Sequence, residues 1–501
     1  MKVLVELRAA LDGHAGIPQA ARLLFRTLRT MPELDVEGLL QSNSRLIAKG
    51  LPLDDRKWRE DRRIDRMSRV VVSLQGGGAR RVDRVVQALK LALVPLVLVV
   101  RALMPVRQKL TRFRASYFRD FVWRSLFART LPPEDFDLVV NAEHRVVRIP
   151  WVAAHVAALM TRRFGFALYP RFDTRGFDVM IAETPYPGRV SPGTRLVIRY
   201  HDAIPLLMPH TIIDKSYHQA SHYAALRRNV RDGAWFACVS DATRNDLLSV
   251  FPEVAGRAVT VHNMISPAYF PEESSPVRIP EILRSRRNGA AVLAGDGGLH
   301  ELRRSGGKIE YLLMVSTIEP RKNHLALLAA WERLRIDRFP QLQVVLVGSL
   351  GWDHAAIVAK FRHWLGRGGL HVLEDVPAPE LRLLYRHARA TVCPSFGEGF
   401  DFSGVEAMRC GGVVAASDIP VHRDIFDDAC EYFSPYSPDG MAEAITRLID
   451  DTPEAAARRA ALHVAGERVC SRYLEEAVRP QWLRLLETVT QQSRPETRPQ
   501  R

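Results

Sequence analysis

The sequence predicts an α/β protein in which two doubly wound parallel-sheet domains face each other across a cleft. Three observations carry this expectation. Short apolar runs alternate with amphipathic helical stretches through both halves of the chain. The two series are separated by a segment rich in Pro, Gly, Ser and charge. At 501 residues the chain is also too long for a single core. Strand–helix alternation implies parallel sheets covered on both faces.

The first domain is expected over residues 1–270. It opens on "MKVLVEL", a strand-like run without a charged-then-apolar leader, so export is not expected. Strands follow at Val3–Leu7, Val36–Leu40, Asp137–Val140, Asp178–Ala182, Leu196–Tyr200, Trp235–Val239 and Ala258–Val261. Between them, helices are expected near 18–28, 216–231 and 242–251. A linker spans 271–308, carrying "PEESSPVRIP" and "AGDGGLHELRRSGGK". The second domain, 309–470, repeats the rhythm with strands near 311–316, 342–347, 371–373, 391–393, 413–416 and 432–433. Its helices are expected near 322–335, 354–365, 379–387, 405–410 and 438–450. Residues 471–501 form a last helix and the polar tail "QQSRPETRPQR".

An insertion at about 45–130 departs from this pattern. Arg45 to Thr130 holds 21 Lys and Arg against 7 Asp and Glu, a local +14 in a chain of net charge +15. Inside it lies "LALVPLVLVV", residues 91–100, between Lys90 and Arg101. Ten apolar residues are too few to span a bilayer, which needs about 20. Three readings fit: a helix in the interface of an anionic membrane, a buried helix with a solvated basic neighbour, and a nucleic-acid surface. No nucleic-acid module accompanies the charge, and the membrane surface is preferred. The five cysteines are scattered without a CxxC, which argues for a reducing compartment and against a structural metal site.

The chemistry concentrates in "CPSFGEGFDFSGVEAMRCGG", residues 393–412, a strand, a turn and a short helix that carry Glu398 and Glu406. Ser403 as helix cap, with Glu406 three residues on, reads as a capping box, which is the structural account of Glu406. It leaves Glu398 unexplained. Gly397 and Gly399 flank Glu398 and permit close approach of a ligand to the backbone. A helix starting at Gly404 offers an anion site, so a sugar nucleotide would meet both a carboxylate and a helix terminus.

The stretch "PSFGEGFDFSGVEAMRCGGVVAASDIP", residues 394–420, resembles the signature of retaining GT-B glycosyltransferases, family 4 (glycosyltransferase group 1). So do "VSTIEPRKNHLALLAAWERL" (315–334), "YHDAIPLLMP" (200–209) and "VSDATRNDLLSVFP" (239–252). The resemblance implies two Rossmann-like domains of the GT-B fold. It implies that Glu406 bonds the nucleotide ribose and that Glu398 faces the donor sugar. Lys322 matches the lysine that holds the diphosphate. The customary arginine is absent at Thr317, leaving Arg321 as its substitute. Gly399, Phe400, Asp401, Ser403 and Gly404 complete the donor loop, with Asp401 and Phe402 where the family has Gly-Leu. Gly13 and Gly16, in "GHAGIP", correspond to the loop near the phosphates and acceptor, without the family's arginine. His201 ends a strand near the transferred sugar, and Asp202 either orients it or contacts acceptor.

The implied activity is transfer of a hexose, mannose favoured, from a nucleotide diphosphate sugar to a lipid-linked or polysaccharide acceptor with retention. The favoured donor is GDP-mannose, and neither a metal nor another cofactor is expected. The location expected is cytoplasmic, peripheral on the inner face of the cell membrane. The rival readings are a sugar-nucleotide epimerase or phosphorylase on the same scaffold, and a non-catalytic sugar- or RNA-binding protein.

Overall fold

The computed structural model describes the chain except residues 12, 14, 15, 76–80, 105, 287–308, 366 and 493–501, and describes only the backbone of 81–91. Most of the expected linker, nearly all of the polar tail and part of "GHAGIP" lie outside the described residues.

The first half contains β1 (Lys2–Glu6), β2 (Asp35–Leu40), β3 (Arg107–Lys109), β4 (Thr111–Phe113) and β5 (His144–Val146). It continues with β6 (Arg171–Asp173), β7 (Val179–Ala182), β8 (Arg195–Tyr200), β9 (Trp235–Cys238) and β10 (Ala258–Thr260). The second half holds β11 (Tyr311–Val315), β12 (Gln343–Val347), β13 (Leu370–Leu373), β14 (Ala390–Cys393), β15 (Val414–Ser417) and β16 (Cys430–Phe433). Six helices matter here: α1 (Ile17–Arg29), α2 (Arg81–Leu103), α3 (Trp151–Arg162), α4 (Phe402–Arg409), α5 (Pro420–Phe426) and α6 (Glu475–Gln491).

Eight strands form one sheet in the order β10-β9-β8-β7-β1-β2-β5-β4, parallel except for the antiparallel β4–β5 pair. Six strands form a parallel sheet in the order β13-β12-β11-β14-β15-β16. Alternation along each central strand feeds two cores. Val3 and Val5 of β1 pack on one face and Leu4 on the other. In β11, Tyr311 and Leu313 oppose Leu312 and Met314. Both faces are thus apolar, as buried parallel strands require.

Chain order reverses beside β1 and again beside β11. From β11 the chain runs outward through β12 and β13, then returns to β14 on the other side. Loops leaving two such neighbouring strands diverge and open a crevice at their carboxyl ends. The loop after β11 carries Arg321 and Lys322, and the loop after β14 carries Glu398. Connectivity alone brings them together.

Some expectations are corrected. Residues 137–140 are helical, within Phe136–Val140, instead of a strand. Phe136, Val139 and Val140 face the core at i, i+3 and i+4, a helical spacing that a four-residue apolar run cannot distinguish from a strand. The described part of the linker contains a helix, Ile279–Ser285, with Ile279, Ile282 and Leu283 in the second domain's core. Helix α6 lies on the first domain: Val478, Trp482 and Leu485 pack in the same core as β1, β2 and α1. The Arg199 guanidinium stands over the Trp482 ring at 5.2 Å from its centroid.

Trp482→Ala is therefore expected to cost about 3–5 kcal/mol in denaturant unfolding, while Arg484→Ala, on the exposed side of α6, changes little. Equal small effects would mean that α6 is not anchored in this core.

Candidate functional site

Arg321 and Lys322 stand on a 3-10 turn, Pro320–Lys322, ahead of the helix His324–Asp337. The turn is held by Asn323, whose backbone is left-handed at φ 62° and whose Nδ2 donates to the carbonyls of Pro394 (3.0 Å) and Pro435 (2.8 Å). The Phe396 N–H donates to the Arg321 carbonyl at 3.0 Å. These bonds lace the two crevice loops together. Glu398 Oε2 then lies 2.9 Å from Arg321 Nη1, and Glu398 Oε1 takes the Lys322 ammonium. Behind them Glu319 accepts from Arg321 Nη2 at 2.8 Å.

All four charged groups are largely or fully buried. Burial pushes the Glu398 carboxyl up, but the Arg321 and Lys322 charges outweigh it and hold the group below its ordinary value. Burial opposes the Arg321 charge, yet Glu398, Glu319 and Asp202 of the opposite domain raise its pKa above the usual range. Glu319 is shifted the other way, raised by burial. Two cations and two carboxylates make a neutral cluster.

Glu406 sits in α4 and is buried. The capping-box expectation is corrected: Asp401, not Ser403, caps α4, and its carboxylate accepts from the Ser403 N–H at 3.1 Å. Glu406 does not reach back to the cap. Its Oε1 accepts from Gln19 Nε2 across the cleft at 2.8 Å, and its Oε2 from the Tyr385 hydroxyl at 3.1 Å. Burial raises its pKa to about 7, partly offset by these two bonds. The helix starts at Phe402, not Gly404. Gly411, at φ 77°, ends it with the left-handed turn that glycine allows.

The other donor-loop residues divide by role. Both Asp401 oxygens are engaged, one by Ser403 and the other by His422 Nε2 at 3.1 Å. Burial raises the Asp401 carboxyl, but the His422 and Ser403 hydrogen bonds and the His422 and Lys322 charges hold it well below the carboxylate range. Phe400 is a core residue between Phe402 and Tyr473. At Gly404 an added Cβ would come within 2.3 Å of the Phe426 ring, so its small size serves the packing of α4 on α5. At Gly399 a Cβ would stand 1.8 Å from the His201 carbonyl oxygen, so here the facing domain's backbone fills the space.

That approach is one of several across the cleft. Ser240 Oγ donates to the Gly399 carbonyl at 2.8 Å, and Asp424 accepts from the Ala242 N–H at 2.9 Å. His201, at the carboxyl end of β8, is 3.3 Å from buried Glu183 Oε2. Asp202 accepts from the Ile204 N–H at 3.0 Å and so fixes the turn after β8. Gly13 and Gly16 both have left-handed backbones, at φ 68° and 70°. The Gly13 carbonyl accepts from buried Arg22, and Gly16 begins α1, which carries Gln19.

Sequence reasoning missed Glu183, Glu319, Tyr385 and His422 as members of this constellation. Glu183 and Glu319 had a signal: each is an acid just beyond an apolar strand, at the end where cleft residues belong. Tyr385 and His422 had none, since each lies on a helix whose orientation is set by packing.

Residues 301–462 match the family model described as glycosyl transferases group 1. The second domain is a glycosyltransferase group 1 domain. The chain is 28% identical over 264 residues to O-antigen chain mannosyltransferase B of Escherichia coli, covering 51% of this chain and 62% of that protein. It is 35% identical over 135 residues to the Escherichia coli serotype-specific mannosyltransferase WbdA, covering 26% of this chain and 16% of that one. The matches thus span less than two thirds of these relatives' length. Sucrose-phosphate synthase of Thermosynechococcus elongatus superposes with a TM-score of 0.58 at 14% identity, covering 97% of this chain and 98% of the other. HepE of Anabaena in complex with UDP gives 0.52 at 12% identity, covering 97% and 99%. At such identities the likeness bears on the fold, which is GT-B.

The raised pKa of Glu406 has a stability consequence. Between pH 4.5 and about 7 the unfolded carboxyl ionises while the folded one keeps its proton. Stability is therefore full below the unfolded value and falls as pH rises through the folded one. Glu406→Gln should flatten this fall, which amounts to roughly 3 kcal/mol, in unfolding curves recorded across that window. Identical pH profiles for the two proteins would contradict the burial argument.

Proposed function

We propose that the protein is a retaining hexosyltransferase, with mannose favoured, that uses a nucleoside diphosphate sugar and a lipid-linked or polysaccharide acceptor. The carrying observation is Glu398 held against Arg321 and Lys322 in the crevice between β11 and β14, next to Gly399, which abuts the His201 carbonyl. The names of the curated relatives support mannose and a surface polysaccharide, GDP-mannose being the favoured donor. A membrane-borne acceptor would place the protein peripherally, at the inner face of the cell membrane. Among the described residues no helix is long and apolar enough to cross a membrane.

The chemistry follows from charge. The bond from the anomeric carbon to the diphosphate breaks, and negative charge develops on the departing oxygen. Arg321 and Lys322 meet that charge from positions fixed before reaction, the arrangement that stabilises a transition state most effectively. In exchange they loosen their hold on Glu398, which turns its charge to the oxocarbenium-like sugar. The acceptor hydroxyl attacks from the face the diphosphate leaves, and its proton passes to the leaving phosphate oxygen. Glu406 receives the ribose hydroxyls in place of the Gln19 amide, and His201, braced by Glu183, lies toward the transferred sugar with Asp202 behind it.

The test is a screen of nucleotide sugars for donor hydrolysis and transfer, followed by linkage analysis of the product. Arg321→Ala and Lys322→Ala should each weaken GDP by about 1.5–3 kcal/mol in calorimetry and leave guanosine nearly unaffected. Glu398→Ala should bind donor and turn over slowly. Equal losses for GDP and guanosine would remove the phosphate role. Salt-sensitive RNA binding without nucleotide-sugar binding would favour the non-catalytic alternative.

A further inference from the structure

Helix α2 is apolar on both sides across residues 92–100, and only one side is covered. Leu98 and Ala102 are buried, with Val94 and Val99 partly so, and this side packs through Leu98 on Ile149, Ala153 and Ala157, which lie on or just before α3. The small alanines of α3 let the two helices approach closely. On the bare side, Leu93, Leu96, Val97, Val100, Leu103 and Met104 are 47–68% exposed. Their spacing of three and four residues makes them one continuous stripe. The supporting helix ends the same way: Met160 on α3, then Phe164 and Phe166 just beyond it, are exposed. A stripe of this kind marks an interaction surface, since an isolated exposed leucine is ordinary but a row of six is not.

Charge selects the occupant. From Lys90 to Arg119 there are seven Lys and Arg and no Asp or Glu, and from His144 to Phe172 there is again no acid. The cations differ in availability. Arg112 pairs with Glu143, Arg114 with buried Asp55, and Arg119 with Asp137. These three are engaged within the protein. Arg101, Lys109, Arg162 and Arg163 are exposed and make no ion pair among the described residues, and Arg163 lies over the exposed Phe164 ring at 4.8 Å from its centroid. A second copy of the chain docking face to face would set these cations against their own images. An anionic lipid surface accepts both the apolar stripe and its basic margin.

We propose that the bare side of α2, with the end of α3, is the face by which the protein enters the interfacial layer of an anionic bilayer, the apolar side chains buried among acyl chains and Arg101, Lys109, Arg162 and Arg163 at the headgroups. This deepens the reading of a membrane-borne acceptor and rests on it only for its purpose. Binding is measured without donor or acceptor, so the two can fail separately.

The experiment is co-sedimentation with vesicles of phosphatidylcholine and phosphatidylglycerol. Wild type should bind, and should keep part of its binding at about 1 M salt, where screening reaches within roughly 3 Å. Leu96→Glu/Val100→Glu/Leu103→Glu, at exposed positions, should lose about tenfold or more in partitioning, with an unchanged thermal melt. Arg162→Gln/Arg163→Gln should lose mainly the salt-sensitive part. Wild type remaining in the supernatant overturns the proposal. So does wild-type binding by the triple-Glu variant, or a wild-type dimer in sedimentation that the same variant dissociates.

Discussion

Burying two cations at the crossing of two loops is possible only if something balances them. Arg321 and Lys322 are drawn into the crevice by the turn at Asn323, which is tied to Pro394 and Pro435, and Glu398 and Glu319 together balance them. A buried charge left unpaired costs several kcal/mol, so this pairing fixes the loop after β14 against the loop after β11. The donor loop, the start of α4 and the contacts across the cleft are built outward from that point.

In the proposed reaction the same pairing supplies reactivity. An anion that competes for Arg321 and Lys322 frees Glu398 at the place where positive charge would develop. Ground-state neutrality thus keeps the cluster stable and holds it ready for exchange. The second proposed exchange, Gln19 for a ligand at Glu406, would couple the site to the other domain, because Gln19 belongs to α1. With His201 and Ser240 pressed on Gly399, binding at either carboxylate bears on how the two domains meet.

Much of this was legible in the sequence because it rests on local signals. Apolar runs of four to six residues between helical stretches marked the buried parallel strands, and the Glu-x7-Glu spacing with its glycines marked the loop. Gly399 was read as an opening for a ligand and Gly404 as a helix start at an anion site; their small size answers to His201 and Phe426, long-range neighbours that no local pattern announces. The cap of α4 was assigned to Ser403, whereas Asp401 wins it by taking a left-handed backbone and a second partner in His422. Residues 137–140 turned helical because packing on α1 decides a run too short to decide itself. The bare stripe of α2 was visible as composition, but only its support by α3 reveals which side is left open.

The most direct test is a crystal structure of the protein with GDP. The account predicts the diphosphate on Arg321 and Lys322, Glu398 released from at least one of them, and the ribose on Glu406 with Gln19 displaced. GDP bound elsewhere, or bound there with the Gln19–Glu406 and Lys322–Glu398 contacts intact, would contradict it.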